Sequence, residues 1–235
     1  MRGSVEPHAP PLMRFVRGSP LLALLWFVPS CAGAQDVSRA ATSDDAHRGT
    51  WQIGAYLGGA RNSPNDGVLG TIPRRDHMVM GIQAGTPVLR LGPMRFNYFA
   101  QLLPLFVVAD RDAARYNPAL DANSIARLRQ RSYAFGVSPF GIELASPAQR
   151  RISLFAATAG GGLIFSREFP DVTGRRTNFT LEAGGGFRVR VGVARWAQLG
   201  YKYHHISNAG TAFANPGLDG NLVYAGYQWS VRLPQ

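Results

Sequence analysis

The chain has 235 residues, and its 25 lysines and arginines against 14 aspartates and glutamates give a formal net charge of +11. This length fits one globular domain or one membrane barrel. Lys202 is the only lysine, and the arginines are scattered rather than gathered in the basic run that is typical of nucleic-acid binding. We therefore expect no nucleic-acid partner.

The N-terminus has the pattern of an export signal. Arg14 and Arg17 precede an apolar run at 20–28, which has the length of a signal-peptide core and is too short to span a bilayer. Ala32-Gly33-Ala34 then matches an A-x-A cleavage site. Cleavage there would remove the single cysteine, Cys31, so we expect no disulfide in the mature chain. A lipoprotein signal that ends at Cys31 is the alternative.

The remaining chain divides into stretches of alternating or apolar-aromatic character, and no apolar run there reaches the length of a membrane-spanning helix. Glycine is frequent inside these stretches, which suits the bends of a small closed barrel. We predict eight strands, at 50–59, 77–87, 94–108, 131–144, 150–166, 177–191, 194–208 and 221–233.

Side-chain alternation in the last three predicted strands separates an apolar face from a polar one. In the sixth, Phe179, Leu181 and Phe187 share one face, and Glu182 and Arg188 share the other. A soluble β-sandwich would bury the apolar face, whereas a membrane barrel turns it to lipid and packs the charges into its lumen. The export signal, the absence of cysteine after it and the even strand number favour an all-β fold, an eight-stranded antiparallel transmembrane β-barrel.

The links between the predicted strands alternate in length. The longer ones are at 60–76, 109–130, 167–176 and 209–220, and the shorter ones are at 88–93, 145–149 and 192–193. Because long loops of outer-membrane barrels are extracellular and their short turns periplasmic, the seventh strand runs outward, and we expect a location in the bacterial outer membrane. The predicted layout is a signal peptide at 1–34 (with Met13 as an alternative start), an N-terminal segment at 35–49 and the barrel at 50–235.

The seventh predicted strand ends in a polar motif. Alternation places His205 and Ser207 on the same, lipid-facing side near the extracellular end. A hydroxyl beside an imidazole is the minimal arrangement for activating a serine. The alternative is that both residues only mark where the strand emerges into water, beyond the interfacial Tyr201 and Tyr203.

The residues after this strand could complete a serine hydrolase site. Asn208, Ala209 and Gly210 could offer N–H groups to a developing oxyanion. The hairpin return into the eighth strand could bring Asp219 beside His205. A carboxylate in that place would fix the imidazole tautomer and stabilise its charged form. The spacing therefore permits a triad without establishing one.

The segment His205-Ile206-Ser207-Asn208-Ala209-Gly210, followed by Asn215-Pro216-Gly217-Leu218-Asp219, resembles the signature of the outer-membrane lipid A 3-O-deacylase family. The resemblance implies an eight-stranded barrel that removes the 3-O-linked acyl chain from the lipid A of lipopolysaccharide, with no cofactor. It also implies His205 as general base, Ser207 as nucleophile, and Asn208 with neighbouring backbone N–H groups as oxyanion hole. The family's acid is typically Glu, and this chain has Asp219 in its place.

Other polar residues are assigned more loosely. His204 and His205 face opposite sides of a strand and cannot chelate one ion, so we expect no metal site. His204 is expected in a lumen network with Lys202, Glu182, Arg188 and Gln228. Arginines in predicted extracellular loops could bind lipopolysaccharide phosphates or be solvated charges, and these are Arg61, Arg74, Arg75, Arg175 and Arg176.

The expected partners are lipid A in the outer leaflet and the surrounding membrane lipids, and a homodimer is left open. The alternative function is a non-catalytic small barrel with a structural or adhesion role.

Overall fold

The described part of the chain is built from strands. The structure, a computed structural model, describes residues 50–64, 67–72, 74–110, 131–147, 150–170 and 173–232. The predicted signal peptide at 1–34, its alternative start and the segment at 35–49 lie outside these ranges. Within them there is no helix of the length and apolar character needed to cross a bilayer.

Eight antiparallel strands in the described ranges form a ring in which each strand pairs with its neighbours in sequence, and β1 pairs with β8 to close the barrel. The predicted eight-stranded barrel is confirmed. The strands are β1 Thr50–Ala60, β2 Arg75–Leu91, β3 Met94–Asp110, β4 Ser132–Ala145, β5 Ile152–Phe169, β6 Arg175–Gly192, β7 Arg195–Ser207 and β8 Leu218–Arg232.

The link between β5 and β6 differs from the prediction. It spans only 170–174, whereas the sequence pattern placed a longer link at 167–176. The reason is that Phe165 and Phe169 both turn into the lumen, where their rings stack with centroids 4.0 Å apart. This contact keeps the end of β5 in the wall, so the alternation of long and short links is not maintained here.

The apolar face of the barrel wall points outward and the polar face points into the lumen, as predicted. Leu181 and Leu199 are exposed on the outside, and Glu182, Lys202 and His204 are buried inside. Glu182 pairs with two internal side chains: Lys202 Nζ donates to Glu182 Oε2 at 2.8 Å, and His204 Nδ1 lies 2.9 Å from Glu182 Oε1. An apolar stripe toward lipid and paired charges in the lumen are the arrangement of a transmembrane barrel.

The expected lumen network is divided into separate groups. Arg188 pairs with Glu143 and not with Glu182, and Gln228 donates to Gln52 at 3.1 Å. Arg188 lies six residues further along β6 than Glu182, which at the rise of an extended strand is about 20 Å. Both ion pairs nevertheless line one cavity in the lumen, which Tyr56 and Tyr224 also border.

An apolar plug fills the lumen at the end where β7 finishes and β8 begins. Ile206 of β7 and Leu218 and Leu222 of β8 are fully buried there, and they pack in one cluster with Phe106 and Phe165. Close packing of this kind fixes the two strands that carry the predicted catalytic residues.

Candidate functional site

The end of β7 separates four consecutive side chains onto two faces. His205 and Ser207 are partly exposed on the outer face, whereas Ile206 and Asn208 are each 1% exposed. The burial of Ile206 in the plug sets this parity, because neighbouring residues of a strand point to opposite sides. The hydroxyl and the imidazole therefore share the outer wall, as the sequence predicts.

Asp219 lies in a strand and not in the predicted link at 209–220. Burial of Leu218 and Leu222 in the plug starts β8 at Leu218. Asp219 thereby becomes the cross-strand partner of His205. Its Oδ1 lies 2.7 Å from His205 Nδ1, which is hydrogen-bonding distance. The hairpin brings together the two side chains that the sequence pattern associated.

The link between β1 and β2 covers Asp219 from outside. The N–H groups of Leu69 and Gly70 donate to Asp219 Oδ2 at 3.0 and 2.9 Å, and the aspartate is only 1% exposed. These donors compensate the burial of a carboxylate on an outward-facing strand position. Sequence reasoning missed them. The glycines of this link indicate a turn, but no local pattern connects it to a residue about 150 positions later.

Asn208 organises the loop after β7. Its side chain donates from Nδ2 to Ala214 O at 2.7 Å and accepts the Gly210 N–H at 3.0 Å, and its own N–H donates to Asn215 Oδ1. Thr211 N–H donates to Asn208 O across a tight turn in which Ala209 and Gly210 have φ of 51° and 75°. Two positive φ angles at the centre are characteristic of a type I′ turn.

This turn changes which group is best placed to bind an oxyanion. The N–H groups of Asn208 and Gly210 are already hydrogen-bonded within the loop. The Ala209 N–H has no hydrogen-bond partner among the described residues. The oxyanion role of Asn208, Ala209 and Gly210 stays a prediction, and of the three backbone donors Ala209 is the one that is available in this structure.

The side chains around Ser207 on the outer wall are apolar. Its cross-strand partner on β6 is Phe179, 51% exposed, and the partner of His205 is Leu181, 47% exposed. The described hydrogen bonds include none between the Ser207 hydroxyl and His205, and such bonds in free enzymes often tighten only when substrate is bound. The outer face thus combines a serine, an imidazole–carboxylate pair and apolar surface.

The five predicted phosphate-binding arginines occupy different environments. Arg61 is exposed and Arg74 half-buried in the β1–β2 link. Arg75 departs from the expected exposed loop position, because it begins β2 and is buried. Arg175 and Arg176 are exposed at the start of β6, and Arg175 Nε donates to Thr211 O at 2.9 Å, beside the type I′ turn.

No group of three or more metal-ligating side chains occurs in the part of the chain that the structure describes. The predicted absence of a metal and the possible homodimer both stay predictions.

Comparison with known proteins finds one matching family model and several similar solved structures. The family model of the lipid A 3-O-deacylases (PagL) matches residues 110–228. The crystal structure of the outer membrane enzyme PagL is similar with 13% identity and a TM-score of 0.47, covering 74% of this chain and 97% of that one. The crystal structure of Neisserial surface protein A has 14% identity and a TM-score of 0.44, covering 77% and 98%. No curated protein sequence matches the chain.

The family match covers more than half of the chain and includes β4 to β7 and most of β8, with His205, Ser207 and Asp219. The chain therefore belongs to the lipid A 3-O-deacylase (PagL) family.

Proposed function

We propose that this protein is an outer-membrane serine esterase that removes the 3-O-linked acyl chain of lipid A through Ser207, His205 and Asp219. The family is one of ester hydrolases. The observation that carries the mechanism is the 2.7 Å contact between His205 Nδ1 and Asp219 Oδ1, on the same outward face as Ser207. This is the base–acid pairing of a serine hydrolase triad.

The pairing determines which nitrogen of His205 acts as base. An ionised Asp219 can only accept hydrogen bonds, so the Nδ1 atom carries the proton that it shares with Oδ1. The lone pair is then on Nε2. That nitrogen takes the Ser207 proton as the serine oxygen attacks the ester carbonyl, and Asp219 stabilises the imidazolium that forms.

The remaining steps follow from the loop after β7. The carbonyl oxygen becomes an oxyanion that accepts a hydrogen bond from the Ala209 N–H, which has no partner among the residues that the structure describes. His205 then gives its proton to the leaving sugar oxygen, which leaves the acyl group on Ser207. Water, deprotonated by His205, attacks this second ester, releases the fatty acid and restores the serine.

The position of the site suits a substrate that stays in the membrane. Phe179 and Leu181 offer exposed apolar surface beside Ser207 and His205, where an acyl chain in the outer leaflet can lie against the wall. The ester then reacts at the membrane interface without being extracted into water.

Exposed arginines near the site are proposed to hold the lipid A phosphates. Arg175 is the best placed, since its Nε bond to Thr211 O brings the guanidinium next to the turn that follows Ser207. Arg176 and Arg61 are exposed at the same end of the barrel, whereas Arg75 is buried and is not proposed for this role. Arginine can bind a phosphate with two parallel hydrogen bonds.

The test is the mass spectrum of lipid A from bacteria that express the full chain. We expect wild type to produce lipid A that lacks one 3-hydroxyacyl group, and Ser207→Ala to lose this activity by roughly 10⁴- to 10⁶-fold. Ser166→Ala is the matched control, because Ser166 is also exposed near the outer end of its strand. Deacylation by Ser207→Ala at the wild-type rate would refute the serine mechanism.

A further inference from the structure

We infer that the β1–β2 link belongs to the proposed catalytic site. Its residues Leu69 and Gly70 are positioning residues that hold Asp219 through their backbone N–H groups. This inference rests on the proposed serine esterase mechanism and extends it. The link precedes the span 110–228 that matches the family model, so the family match assigns it no role.

The two oxygens of Asp219 have divided roles. Oδ1 contacts His205 Nδ1 at 2.7 Å, and Oδ2 accepts the N–H groups of Leu69 and Gly70 at 3.0 and 2.9 Å. Two donors on one oxygen fix the rotation of the carboxylate, so that the other oxygen is directed at the imidazole. Without these donors the carboxylate would lose the two contacts that orient Oδ2.

The link is itself attached to the hairpin that carries Asp219. Thr71 N–H and Oγ1 both donate to Pro216 O, at 2.8 and 2.7 Å, and Ile72 N–H donates to Gly217 O at 3.2 Å. Pro216 and Gly217 immediately precede the first residues of β8. These bonds therefore keep the N–H groups of Leu69 and Gly70 at a fixed distance from the Asp219 carboxylate.

Three glycine positions around Asp219 and His205 have no room for a side chain. A Cβ on Gly67 would lie 2.0 Å from Asp219 Oδ2, and a Cβ on Gly70 would lie 2.8 Å from Asp219 Oδ1. A Cβ on Gly217, whose φ is +62°, would lie 2.9 Å from His205 Cε1. Glycine at these positions allows backbone to approach the acid and the base closely, which is a recurrent use of glycine at functional sites.

The first experiment measures kcat and KM of purified full-length Gly67→Ala and Gly70→Ala for release of fatty acid from lipid A. We expect kcat to fall about 10²-fold, since a displacement of about 1 Å in a catalytic group has an effect of this size. KM should stay within about twofold of wild type, because Asp219 acts on His205 and not on bound substrate. Gly160→Ala is the matched control, since its Cβ would meet only Thr180 O at 3.8 Å.

The second experiment separates positioning from general stability. In the Asp219→Ala background the Gly70→Ala substitution should cause no further loss of kcat, because the group that it displaces is already absent. An equal loss in both backgrounds would overturn the inference and indicate damage to the fold. Thr71→Val, which removes only the Oγ1 bond to Pro216 O, gives a milder variant, and its kcat should fall several-fold with an intact heat-modifiable barrel.

The outcomes distinguish this inference from the function on which it rests. Wild-type kcat for Gly67→Ala, Gly70→Ala and Thr71→Val, with an inactive Ser207→Ala, would overturn the positioning role alone. A fully active Ser207→Ala would overturn the serine mechanism itself. A fully active Asp219→Ala would remove the acid and with it any role of the link.

Discussion

Replacement of Asp219 by asparagine removes the charge of the proposed acid and keeps its volume. The asparagine carbonyl can accept the N–H groups of Leu69 and Gly70 that now donate to Asp219 Oδ2. Its NH₂ group then faces His205 Nδ1, the atom that lies 2.7 Å from Oδ1. Because an NH₂ group only donates, Nδ1 must carry the lone pair and Nε2 the proton. In this tautomer His205 cannot accept the Ser207 proton.

The expected loss in kcat is about 10⁴-fold, the effect of the corresponding Asp→Asn change in a serine protease triad. This factor corresponds to about 5.4 kcal/mol in the activation barrier. The free energy of unfolding should change little, since the backbone donors of Leu69 and Gly70 keep an acceptor. Asp219→Ala differs because it leaves both N–H groups without their acceptor, at a cost of about 1–3 kcal/mol for the buried Gly70 N–H.

The assay is fatty acid release from lipid A by purified protein in detergent, together with a urea titration of the folded barrel. Asp76→Asn is the matched control, because Asp76 also accepts a backbone N–H in the same link, that of Asn62 at 3.0 Å. We expect wild-type kcat for the control. A folded Asp219→Asn variant with kcat within about tenfold of wild type would refute the role of Asp219 in fixing the tautomer.

Three further variants test other parts of the structure. Asn208→Ala should lower kcat by roughly 10²-fold, because the type I′ turn loses the two side-chain hydrogen bonds that hold it; an unchanged rate in the same assay would contradict this. Glu182→Gln should lower the free energy of unfolding by about 3–5 kcal/mol, since it leaves Lys202 buried without its carboxylate. Urea titration measures this loss, and the exposed Glu168→Gln should leave the midpoint unchanged. Leu199→Arg should destabilise the barrel in lipid vesicles by about 2–4 kcal/mol, and an unaltered unfolding midpoint would speak against a lipid-facing wall.

The strands were predictable because their signal is local. Alternation along β6 and β7 separates Leu181 and Leu199 from Glu182 and Lys202 within a few residues of sequence. The end of β5 was not predictable in this way, since its extension depends on the stacking of Phe165 and Phe169 inside the lumen. That contact exists only once the barrel has closed.

The proposed catalytic residues were predictable to different degrees for the same reason. His205 and Ser207 are two positions apart on one strand, so their common face follows from the pleat. Asp219 is reached through a hairpin, and its pairing with His205 required the register that Leu218 sets by entering the plug. The availability of the Ala209 N–H depends on how the side chain of Asn208 is used within the loop.

The sequence by itself determined the eight-stranded wall, its polar and apolar faces and the common outer face of Ser207 and His205. Only the tertiary structure decided that Asp219 is covered, that Arg75 is buried and that the β1–β2 link supplies the donors at Leu69 and Gly70. The physical reason is distance along the chain. Alternation arises between adjacent residues, whereas the Leu69–Asp219 contact joins residues 150 positions apart and forms because β1 and β8 meet when the barrel closes.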